Sequence, residues 1–227
     1  MFSSKNYFFQ TKQNKIQISI RQIIKENYGS FIWPSSLILS EYLCLIEDEL
    51  KNQKILELGA GTGLPGILSA KLGAKQVVLS DISSEKSILE NLEFESKSNG
   101  IDDICSVIPI DWGFFSEKYS DIGDFDIILG ADCLYDSVDF DSLFSTVKYF
   151  LKFNQNSFFL TAIHNRNCSD NLQYYLDEWG FKSKKIDLKE FETNLFEKFE
   201  ETQTLIGDIN LYKITHSFQD KKVENLN

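Results

Sequence analysis

Between residues 54 and 163 short apolar runs alternate with longer amphipathic ones, and this alternation constrains the chain more than any other feature. Strands are predicted at Lys54–Leu58, Gln76–Ser80 (ending at Asp81), Cys105–Ile110, Phe125–Gly130 and Ser157–Ile163. Helices are predicted at 66–72, Ser83–Ser98 and Phe140–Leu151 between them. Ser169–Trp179 reads as a further helix stopped by Gly180, and Phe181–Ile186 and Asn210–Thr215 as two last strands. Strand–helix alternation of this kind requires a mostly parallel sheet covered by helices on both faces. The expected fold class is therefore α/β, a Rossmann-like sheet of seven strands.

Ahead of this unit, Ile16, Ile18 and Ile20 alternate with polar residues, which predicts a half-buried strand. Tyr7–Thr11 is its expected hairpin partner across the Lys12–Lys15 turn. Leu39, Leu43, Ile46 and Leu50 then recur on one helical face, with Ser35 or Ser36 as the expected cap. The expected organisation is an N-terminal β-hairpin appendage over 1–28, one catalytic domain over 29–216 and a polar, frayed tail over 217–227.

The chain has 227 residues, 23 Lys+Arg and 34 Asp+Glu, a net charge of −11. That balance disfavours a nucleic-acid backbone as partner, because phosphate binding relies on clustered cations. It suits a basic protein segment as substrate, or simply an acidic, solvated surface. Cys44, Cys105, Cys133 and Cys168 lack metal-ligand spacing. They read as reduced, mostly buried thiols, so neither disulfides nor a metal is expected. The first residues hold no signal-peptide core and no run reaches membrane-spanning length, so the expected location is cytoplasm, nucleus or both, with no membrane partner.

In an open parallel sheet, ligands bind beyond the carboxyl ends of the strands. The first of these strands runs into Glu57-Leu58-Gly59-Ala60-Gly61-Thr62-Gly63 and the second ends at Asp81, 22 residues after Gly59. Glycines let the backbone approach a ligand closely, and an acid in that place can accept ribose hydroxyls. Together they point to an adenosine cofactor. A nicotinamide fingerprint in register with the strand would need glycine at 64, where Leu64 stands; the match starting at Gly61 comes too late and carries Pro65. An acidic strand end followed by GxGxG suits S-adenosylmethionine, whose ammonium and sulfonium groups are favoured by nearby carboxylates.

Four segments carry a more specific likeness: Ile32-Trp33-Pro34-Ser35, ILELGAGTGLPGI at 55–67, Asp111-Trp112-Gly113, and Gly130-Ala131-Asp132-Cys133-Leu134-Tyr135. In order and separation they resemble the seven-strand S-adenosylmethionine-dependent methyltransferases. Among these they resemble the methyltransferase-like enzymes that modify protein lysine or arginine, with the nearest look to the methyltransferase-like protein 23 group. The resemblance implies that Gly59, Ala60 and Gly61 wrap the methionine part of the cofactor and that Asp81 holds the ribose. It implies that Trp112 packs on the adenine, that Asp111 bonds the base, that Trp33 lies over the cofactor near the substrate entrance, and that the Ala131 backbone lies near the methionine end. It further implies that Asp132 and Tyr135 form an Asp-x-x-Tyr motif beside the transferring methyl group. Packing roles for Trp33, Trp112 and Tyr135, and a helix-capping role for Asp81, are the competing readings. His164 reads as structural or substrate-facing, and His216 as structural or exposed.

The expected function is methyl transfer to a side-chain nitrogen of a protein, with a histone among the candidate substrates. A small-molecule methyltransferase, an inactive binding protein of the same fold and a nicotinamide oxidoreductase are the alternatives.

Overall fold

The computed structural model describes residues 2–23, 31–164, 172–190 and 208–217. A hairpin of β1 (Phe2–Gln10) and β2 (Lys15–Ile23) precedes two helices, α1 (Pro34–Leu45) and α2 (Glu47–Leu50). The alternating unit follows as β3 (Lys54–Glu57), α3 (Leu64–Lys71), β4 (Gln76–Asp81), α4 (Lys86–Ser98), β5 (Cys105–Pro109), β6 (Ile127–Ala131), α5 (Phe140–Phe150) and β7 (Phe158–His164). It closes with α6 (Leu172–Glu178), β8 (Phe181–Ile186) and β9 (Ile209–His216).

Strands β3 to β9 form one seven-stranded sheet in the order β5-β4-β3-β6-β7-β9-β8. The first five of these run parallel, and β9 runs antiparallel to both β7 and β8. The order reverses between β3 and β6, and at such a switch point the connections leave to opposite sides and open a crevice beyond the strands' carboxyl ends.

Neighbouring residues along each central strand point into different cores. Ile55, Val77, Ile127 and Leu160 pack with α1, α3 and the hairpin. Leu56, Val78, Ile128 and Phe159 pack with Phe144 and Val147 of α5 and Leu176 of α6. A strand buried on both faces reads as a continuous apolar run, which is why KILEL and FDIILG carry almost no alternation.

The hairpin joins the first core through Tyr7, Phe9, Ile18 and Ile20. Its second strand is also satisfied along its outer edge by a helix. The Ser19 and Arg21 N–H groups donate to Asn99 Oδ1 (3.2 Å) and Glu95 Oε1 (2.8 Å). Asn99 and Asn91 return bonds to the Ser19 and Arg21 carbonyls at 2.9 and 3.1 Å. Four helical residues rise about 6 Å and two strand residues slightly more, so side chains one helical turn apart match alternate residues of the strand.

Several boundaries differ from the sequence expectation. The 39–50 apolar face is divided between α1 and α2, with a break at Ile46. Neither Ser35 nor Ser36 caps α1, because Trp33 takes the N-cap position and Pro34 opens the helix. α4 starts at Lys86 instead of Ser83, because Ser83 is committed to Asp111. Phe125 makes only an isolated bridge to Leu151 before β6 begins. The expected residues 169–171 of the last helix, and the tail from 218, lie outside the described residues.

Candidate active site

The loop after β3 is shaped by glycine backbones. Gly59, Gly61 and Gly63 lie at φ +59, +54 and +76, values that side-chain-bearing residues adopt only at a cost. A β-carbon on Gly59 would sit 3.1 Å from the Cys133 sulfur and 3.2 Å from the Trp112 ring. The space beside Gly59 is thus walled by β6's continuation and by the loop after β5. Ala60 donates its N–H to the Ser80 carbonyl at 2.8 Å, tying the loop to β4.

Asp81 organises the same loop. Its Oδ2 accepts the Gly61 N–H at 2.8 Å and its Oδ1 the Ile82 N–H at 2.9 Å. Each carboxylate oxygen has capacity for a second donor. Asp81 does not cap α4, whose N-cap is Glu85. Burial pushes its carboxyl above the usual range, opposed by those two N–H groups.

Expected beside the cationic end of the cofactor, the Glu57 carboxyl instead turns under α3. It is 1% exposed and accepts the Gly66 N–H at 2.8 Å. Burial pushes it up to about 8. Glu57 therefore acts on the cleft through the first turn of α3, which it anchors to β3.

At the end of β5, Asp111 accepts both the N–H and the hydroxyl of Ser83, at 2.8 and 2.7 Å. This clamps the β4 and β5 loops together. Trp112 is partly buried against the second core, with its ring edge toward Gly59. Trp33 holds the N-cap of α1, with the Phe31 ring edge-on to it at 5.9 Å.

Across the switch point, Ala131 ends β6 opposite Ala162 of β7. Asp132 then adopts φ +57, a left-handed conformation unusual for a non-glycine residue. It is pinned to β7 twice: its N–H donates to the Ala162 carbonyl at 2.8 Å, and its Oδ1 accepts the His164 N–H at 3.2 Å. Cys133 turns inward, with its sulfur 3.2 Å from the Leu58 carbonyl. The acid end of β6 is thereby registered against the glycine loop. Tyr135 is half exposed, so it is not a core-packing residue, and burial of its remaining part pushes its hydroxyl up. His216 is buried, stacked on Phe181 at 5.2 Å, far along the sheet from this cleft.

Ser83 and the Ala162–His164 backbone were not singled out by motif, although they hold Asp111 and Asp132. Their signal is tertiary. Among the described residues no cluster of His, Cys, Asp or Glu is arranged to hold a metal, and no helix is long and apolar enough to cross a membrane.

The site fits S-adenosylmethionine. The cradle at Gly59 lacks the β-carbon that would fill it, and Asp81 retains acceptor capacity. The fold and this site define a Rossmann-like methyltransferase that uses S-adenosylmethionine. Among solved structures, the T. Thermophilus 16S rRNA N2 G1207 methyltransferase RsmC, in complex with AdoMet and guanosine, matches with TM-score 0.62 and 13% identity over 95% of this chain and 51% of that one. Ribosomal protein L11 methylase from Lactobacillus delbrueckii subsp. bulgaricus matches with TM-score 0.53 and 16% identity, over 82% and 78%. The sequence also matches the lysine methyltransferase family over residues 12–177, and the chain belongs to that family. It is 34% identical to the histone-arginine methyltransferase METTL23 of Xenopus laevis, over 80% of this chain and 77% of that protein. It is 33% identical to the protein N-lysine methyltransferase METTL21A of Mus musculus, over 82% and 79%.

Proposed function

We propose that the protein methylates a lysine or arginine side-chain nitrogen in a basic segment of a protein substrate. The observation that carries this reading is Asp132: a partly exposed residue in a left-handed turn at the cleft, tied to β7 by its backbone N–H and by one carboxylate oxygen. The relatives named for protein lysine or histone arginine methylation support the acceptor class. The net charge of −11 supports a basic target.

When bound, S-adenosylmethionine supplies an electrophilic methyl group on a sulfonium. Gly59, Ala60 and Gly61 would hold its methionine part, Asp81 the ribose, and Trp112 and Asp111 the adenine, with Trp33 and Ala131 flanking. Asp132 draws a cationic acceptor into the cleft. Once the acceptor nitrogen has lost a proton to solvent, the same carboxylate orients its remaining N–H and so aims the lone pair. Tyr135 offers a hydroxyl and a ring face at the mouth. Positioning of this kind accounts for up to roughly 7–11 kcal/mol of barrier lowering in ideal cases. The buried, reduced thiols of Cys105 and Cys133 support a reducing compartment, cytoplasm or nucleus.

The test is incubation of a total protein extract with the enzyme and labelled S-adenosylmethionine, read by mass spectrometry of modified residues. Label on lysine or arginine of proteins, lost with Asp132→Asn, is the expected result. Label confined to small molecules would refute it.

A further inference from the structure

Asp111-Trp112-Gly113-Phe114 is a tight turn closed by the Phe114 N–H on the Asp111 carbonyl at 3.1 Å. Gly113, its third residue, lies at φ +78, as a type II turn demands. That turn's own bond uses the fourth N–H and leaves the third to find a partner elsewhere. Here the Gly113 N–H donates to Thr146 Oγ1 on α5 at 2.9 Å.

Thr146 is 1% exposed, and its hydroxyl donates to the Ser142 carbonyl one helical turn back at 2.7 Å. Its single proton is committed to the helix, so a lone pair is what it presents to Gly113. Ser142 lies beneath the same glycine: a β-carbon there would come 3.0 Å from the Ser142 hydroxyl and 3.4 Å from its α-carbon. The turn is thus seated on α5 at one end, while the Asp111–Ser83 pair holds the other.

We propose that Thr146 is a positioning residue for cofactor binding: through Gly113 it sets the angle of Trp112, and so the affinity for the adenine end of the cofactor. The inference rests on the reading above that Trp112 packs on adenine. Thr146 itself touches no reacting group. It supplies, from a helix outside the cleft, the acceptor that seats the Gly113 end of the turn.

The experiment is calorimetry with S-adenosylhomocysteine on the wild type, Thr146→Val, Thr146→Ser, Trp112→Ala and the Trp112→Ala/Thr146→Val double variant. Valine keeps the shape and removes the acceptor, and losing one buried hydrogen bond should weaken binding about tenfold. Serine keeps the hydroxyl and should bind within about twofold of wild type. Because Thr146 acts through Trp112, the valine substitution should add no further loss once Trp112 is gone. In the ligand-free protein, amide exchange across 111–115 should accelerate in Thr146→Val and not in Thr146→Ser. If Thr146→Val does not fold, Thr146→Ala carries the same expectations. Wild-type affinity in Thr146→Val, or losses that multiply in the double variant, overturn the inference. A folded wild type that fails to bind S-adenosylhomocysteine overturns the cofactor reading and the inference with it, and is told apart because it needs no variant.

Discussion

Replacing Glu57 by Gln should flatten the dependence of stability on pH. The Glu57 carboxyl is buried to 1% beneath α3. That burial, more than the nearby Asp81 charge, pushes it from 4.5 up to about 8 against the favourable Gly66 N–H. Between those values the folded protein keeps a proton that the unfolded chain has released. Folding takes up a proton there, so stability falls as pH rises through the window and levels off above the folded value. Each pH unit is worth about 1.4 kcal/mol, so the step from about pH 6 to 8 costs the wild type roughly 2–3 kcal/mol. At about 2–4 °C per kcal/mol for a chain of this size, that is a fall of roughly 5–10 °C in Tm. Gln keeps an acceptor for the Gly66 N–H and cannot ionise, so its Tm should lack this component. Asp81 and Glu95, both pushed up by burial, and His216, pushed down by it, act in both proteins and cancel in the difference. Thermal unfolding at half-unit steps measures the two curves. Parallel curves would show that Glu57 is ionised in the folded protein and that its burial has been misjudged.

Three further outcomes are expected. Trp112→Ala should weaken S-adenosylhomocysteine binding by about 1–3 kcal/mol, the worth of a base–aromatic stack, and also lower Tm, because the ring packs against the second core; a Tm loss at unchanged affinity would leave Trp112 a packing residue alone. Asp132→Asn should lose turnover while keeping cofactor affinity, since Asn tolerates the left-handed backbone at φ +57; full activity by methyl incorporation would remove Asp132 from the reaction. Gly66→Ala should destabilise the fold by about 1–3 kcal/mol, because its β-carbon would fall 2.3 Å from a Leu79 methyl and 2.6 Å from Glu57 Oε2; a denaturant midpoint equal to wild type would show that α3 can shift to admit it.

What the sequence determined by itself is whatever is encoded between near neighbours. The alternation of KILEL, QVVLS and FDIILG with helical runs identifies the parallel sheet, since strands covered on both faces are apolar throughout. The glycines at 59, 61 and 63 announce a backbone that must turn left-handed, and all three do. Asp81 is legible because a strand ends on it. The N-terminal hairpin is legible from the alternation of Ile16, Ile18 and Ile20. The partners of these residues are not legible, because they lie far along the chain. Glu57 reads as a cofactor-facing acid, and only the packing of α3 over β3 turns its carboxyl to Gly66. Ser83 reads as the first residue of a helix until the β5 loop brings Asp111 to it. Thr146 looks like any helical threonine, yet α5 carries it under Gly113. Asp132 is conspicuous after an apolar strand, but its left-handed turn exists because β7 offers a carbonyl at Ala162 and an N–H at His164. Periodicity records which face of an element is buried; it holds no information about which element covers that face, and in this protein the covering elements aim the groups of the cleft.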